Sequence, residues 1–114
     1  MLVTSEQEKQ YLLDLLHSAH TALMHQLHRV DSMSFRQQLK QTIHLNEVLP
    51  QHLEALDEPE IDYLVELLTA AHTELMHQIH RADAFEFRQQ LREVILVNEL
   101  LREKLESRLE PVAV

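Results

Sequence analysis

Residues 11–56 and 63–108 run in parallel without a gap, 52 positions apart. Ala19-His20-Thr21, Leu23-Met24-His25-Gln26, His28-Arg29 and Asp31 return as Ala71-His72-Thr73, Leu75-Met76-His77-Gln78, His80-Arg81 and Asp83. Phe35-Arg36-Gln37-Gln38-Leu39 returns as Phe87-Arg88-Gln89-Gln90-Leu91, and Asn46-Glu47 as Asn98-Glu99. An internal repeat limits the fold, because each copy is one supersecondary unit that must bury its apolar face against another.

The unit is helical. The chain has no Gly and only three Pro in 114 residues, so the turn punctuation that strands require is missing. Leu12, Leu16, Ala19, Leu23, Leu27 and Val30 recur at spacings of three and four, one apolar helix stripe. Ser5 with Glu8 forms a capping box for a first helix from about Glu6 to Val30. Asp31 with Ser34, and Asp83 with Glu86, are the expected caps of the second and fourth helices. The second helix should carry Phe35, Leu39, Ile43, Leu49 and Leu53 inward. Pro50 should kink or shorten it, since proline removes a backbone bond; the matching Arg102 predicts no break. Asp57 caps a third helix (about Glu58 to Ala82) with Pro59 in its first turn, where proline is tolerated. A fourth helix covers about Ala84 to Glu110, and residues 111–114 are a tail. The expected fold is all-α: a tandem-duplicated helical hairpin closing as an up-down-up-down four-helix bundle. It occupies one domain, 1–114, with repeats of about 5–56 and 57–110.

Composition excludes several functions. Without Cys there is no disulfide, thiolate metal site or cysteine nucleophile. Without Gly there is no glycine-rich phosphate loop. A net charge of −9 argues against nucleic acid and anionic membrane surfaces as partners. No apolar stretch approaches the ~20 residues of a spanning helix, and Met1-Leu2-Val3 does not begin a signal peptide, so a cytoplasmic location is expected. The five serines never recur between the copies and no nucleophile–base arrangement is legible, so an enzyme is not the expectation.

Two constellations are candidates for function. At about 100° per residue, with Leu23 facing inward, His20 lies about 60° off that face. With Leu39 facing inward on the second helix, Asn46 lies about 20° off and Glu47 about 80°. His20, Asn46, His72 and Asn98 therefore form an expected polar core layer, which would fix register through its hydrogen bonds. The same level offers a second chemistry: His20, Glu47, His72 and Glu99 supply two imidazoles and two carboxylates, suited to a single Zn, Fe or Mn ion. Neither Glu-x-x-His pairs nor His-Glu-x-x-His occur, so di-metal and metalloprotease sites are not indicated. A haem held by His20 and His72 lacks any attachment motif.

The other constellation lies at the hairpin tips. His25, His28, Arg29 and Arg36 persist as His77, His80, Arg81 and Arg88, whereas exposed positions elsewhere differ, such as His17 against Thr69 and His52 against Lys104. If both tips leave the bundle at one end, they gather a basic, His-rich surface on an acidic chain. Arginine forks suit carboxylates and phosphates. The expectation is a non-enzymatic interaction or regulatory protein that binds a protein or acidic ligand through the tips and self-associates as a homodimer. Locally, Arg36 is expected to pair with Asp31 or a glutamate, and Met24 and Met76 to fill gaps at the core edge.

Overall fold

The computed structural model describes residues 5–109. Its helices are α1 (Glu6–Arg29), α2 (Met33–Val48), α3 (Glu58–Arg81) and α4 (Phe85–Leu109), with no strand among the described residues. A single 3-10 turn, Leu49–Gln51, follows α2. Glu110 and the expected tail lie outside the described residues.

The caps decide where helices start. Ser5 Oγ accepts from the Glu8 N–H at 3.1 Å, and Glu8 Oε1 accepts from the Ser5 N–H at 2.8 Å, completing the expected box. Asp57 and Glu60 do the same for α3, both at 3.0 Å. These bonds satisfy amide donors that have no intrahelical partner. At the tips the expected caps are one residue out of register. Ser32, not Asp31, caps α2, accepting from the Phe35 N–H at 3.5 Å. In α4 the matching residue is Ala84, whose carbonyl accepts from the Arg88 N–H at 3.1 Å but whose side chain cannot cap. No Asp83–Glu86 box forms, because α4 begins one residue too late for Asp83 to reach. Asp31 and Asp83 are left just outside the positive helix ends, where a negative charge is still favourable.

Pro50 shortens α2 as expected. The chain tightens into the 3-10 turn and reverses through His52–Asp57, with the His52 N–H bonded to the Leu49 carbonyl at 3.2 Å. Arg102, 52 residues on, sits within an unbroken α4. Leu49 and Leu101 both end fully buried, one beyond its helix and the other inside.

Three-residue connections fold α1 onto α2 and α3 onto α4 as hairpins, and α1 also meets α4. The main core lies away from the connections, at what is here called the base. Leu12 and Leu16 pack there with Leu49, Leu56, Ile61, Leu64, Leu68, Leu101 and Leu105. Each buried leucine contributes on the order of 1.5–3 kcal/mol of transfer free energy. Towards the tips the buried apolar residues reduce to Leu39 and Ile43 in one hairpin and Leu91 and Ile95 in the other. Leu23, Leu27, Leu75 and Ile79 are only half-buried. Phe35, expected inward, is 47% exposed because nothing from the other hairpin covers it. The molecule measures 46 × 44 × 23 Å. A 24-residue helix is about 36 Å long, so a parallel-sided bundle would have one long direction. Two long directions mean that the hairpins join at the base and diverge.

Candidate functional site

The polar layer sits where the hairpins join, but its composition differs from the expected one. Asn46 and Asn98 are buried. Asn46 Nδ2 donates to Tyr63 Oη at 2.9 Å, and Asn98 Nδ2 donates to Tyr11 Oη at 2.8 Å and to the Leu68 carbonyl at 3.0 Å. Asn46 and Tyr11 belong to the first hairpin, and Asn98 and Tyr63 lie 52 positions after them. The two bonds are therefore reciprocal, each hairpin supplying an amide to the other's phenol. Burial pushes both tyrosine hydroxyls above their ordinary range, and the asparagine bonds only partly offset this. Asn98 Oδ1 and Arg102 Nε, an acceptor and a donor one turn apart on α4, are buried without a protein partner.

The histidines expected in this layer lie at its rim. His20 Nε2 is 3.4 Å from Glu47 Oε1, and both side chains are substantially exposed. His72 is half-buried and Glu99 exposed, with no hydrogen bond between them. Among the described residues no three His, Asp or Glu side chains gather as a metal ion would need. Of His20, Glu47, His72 and Glu99, the structure thus brings together only the first two.

A second reciprocal pair joins the hairpins. Glu8 and Glu60, the capping-box glutamates, are both buried. Glu8 takes Lys104 Nζ at 2.8 and 3.0 Å. Glu60 takes His52 Nε2 through a short contact. Lys104 lies 52 positions after His52, so this contact too is exchanged between hairpins. Burial alone would raise the Glu8 carboxyl. The Lys104 ammonium and the Ser5 amide and hydroxyl outweigh it and hold the group below the ordinary range. Glu60 is also lowered, with the Asp57 amide and His52 outweighing burial.

At the tips, His25, His28, Arg29, His77, His80, Arg81 and Arg88 are exposed. Arg36 is half-buried and does not pair with Asp31. Its Nη1 donates to the Val30 carbonyl at 3.3 Å, satisfying the end of α1. No hydrogen bond or ion pair among the described residues links one tip to the other, so the two basic clusters stand apart. Beside them lie apolar groups that sequence reasoning missed: Met33 (72% exposed) and Phe85 (70%), with Phe35 and Phe87 about half exposed. These too are matched at a separation of 52, but so are core residues such as Leu12 and Leu64, so the repeat alone could not set them apart from the core stripe. Aromatic, Met and Arg side chains together are the composition enriched at protein interfaces. No described helix is long and apolar enough to cross a membrane. Neither a family model, nor a curated protein, nor a solved structure matches this chain.

Proposed function

We propose that this chain is a small, non-enzymatic, cytoplasmic helical protein that acts by binding another protein through its hairpin tips. In this reading it is a duplicated hairpin in up-down-up-down order, and each copy presents the same recognition end. One observation carries the proposal: Met33, Phe35 and Arg29 lie exposed on one tip, and Phe85, Phe87 and Arg81 on the other. A large apolar side chain left in water beside an arginine costs hydration free energy unless a partner covers it, and such patches mark interaction sites. Immobilised protein with Arg29→Ala and Arg81→Ala together should lose at least tenfold in capture of whatever the wild type retains from a cell extract. Unchanged capture removes the tips as the site.

The alternative is a bundle that binds one Zn, Fe or Mn ion through His20, Glu47, His72 and Glu99. The His20–Glu47 approach is the contact that favours it. Elemental analysis decides: a stoichiometric metal that is lost in the His20→Ala, His72→Ala variant supports it, and a folded, metal-free preparation rejects it.

A further inference from the structure

The tips raise the question of which partner has the right surface. We infer that it is a second copy of this chain, which would bury the tip halves of the hairpins as the base halves are buried within one chain. The inference rests on the tip reading above and narrows it to self-association.

Three observations lead there. First, Met33, Phe35, Phe85 and Phe87 lie exposed at the tips, apolar surface that one chain leaves uncovered. Second, the molecule already shows what fits such a hairpin. At the base, one hairpin packs on the other through leucines and reciprocal asparagine–tyrosine bonds. The apolar stripe continues towards the tips through Leu23, Leu27, Leu75 and Ile79, half-buried where the two hairpins diverge. A hairpin of the same sequence from a second chain carries the matching stripe. Third, each tip bears both charges within three residues: Arg29 with Asp31, and Arg81 with Asp83, all exposed. Two identical tips meeting antiparallel across a twofold axis place each arginine near the other's aspartate, which a closed, self-complementary contact requires. The chain's negative charge opposes association at long range, and salt screens that repulsion.

Sedimentation equilibrium of the full chain, from about 1 to 100 μM at moderate salt, tests the inference. The wild type should sediment at twice the chain mass. Phe35→Ser with Phe87→Ser should raise the dissociation constant at least tenfold. If that variant loses helicity by circular dichroism, Met33→Ser with Phe85→Ser decides, because those side chains are mostly exposed and the fold does not need them. Leu96→Ser with Leu100→Ser, on the exposed side of α4 away from the tips, should leave the dimer intact. A wild-type monomer throughout overturns self-association, and the capture experiment then still stands for a tip that binds a different protein. A dimer that survives the tip substitutions, or dissolves with the α4 pair, overturns the assignment of the interface to the tips.

Discussion

At the base, leucines from α1, α3 and α4 meet with essentially no exposed surface, whereas at the tips α2 and α4 begin with exposed methionine and phenylalanine. The local pattern is much the same in both regions: apolar residues at helical spacing, flanked by polar ones. What differs is the neighbour. At the base each hairpin is covered by the other, and at the tips it is covered only by itself. A helical stripe therefore shows which face of a helix wants burial, and tertiary contacts decide whether it is buried. The base should thus respond to substitution as a folding core, and the tips as a surface.

The largest effect that would sharpen this contrast is at Leu64 or Leu68, both fully buried. Alanine at either should cost about 2–5 kcal/mol, read from urea unfolding midpoints. A loss under 1 kcal/mol would break the view of the base as a close-packed core. Next come the reciprocal amides. Asn98→Ala should cost about 1–3 kcal/mol, since it leaves the Tyr11 hydroxyl and the Leu68 carbonyl without their donor. A double-mutant cycle with Tyr11→Phe should return a coupling energy, and zero coupling would show that the bond does not form in solution.

Acid should act on the base through Glu8 and Glu60. Both carboxyls are held lower in the folded chain than their ordinary value of 4.5. Their contribution is therefore complete above about pH 4.5 and is lost as pH falls through the folded value. Thermal melts between pH 6 and pH 3 should show that decline, with a shallower slope in the Glu8→Gln, Glu60→Gln variant. Lys104→Met, which removes a partly exposed partner, should cost about 1 kcal/mol or less at neutral pH. The smallest effect belongs to the tips. Met33→Ala and Phe85→Ala should change monomer stability by no more than about 0.5 kcal/mol, and a larger loss would show that the tips are part of the core.

Much of the fold was legible because its determinants are local. Spacings of three and four marked the helices, Ser5–Glu8 and Asp57 marked two starts, and Pro50 marked a stop. The burial of Asn46 and Asn98 followed from their angle to Leu39 and Leu91. Partners distant in sequence were not legible. Angles on one helix placed His20 near the layer but could not show that Tyr63 or Tyr11, on the other hairpin, would take the asparagine bonds. The clue was nevertheless present: the chain's two tyrosines are 52 residues apart, and so are Glu8 and Glu60. His52 and Lys104 looked like drift between exposed positions because identity changed while role did not: both place a nitrogen on a buried glutamate. At the tips, a three-residue turn moved the cap from Asp31 to Ser32, a shift too small for residue preference alone to resolve.

The Glu8–Lys104 contact has a consequence for the order of the chain. It brings the first turn of α1 against the last turns of α4, across 96 residues, as His52–Glu60 flanks the His52–Asp57 connection between the hairpins. The place where a second connection would run is thus already held together. Joining the ends with a short linker and opening the chain between His52 and Asp57 gives a circular permutant in which α3 and α4 precede α1 and α2. The base contacts do not depend on which of the two junctions is covalent, so the permuted chain should reach the same core.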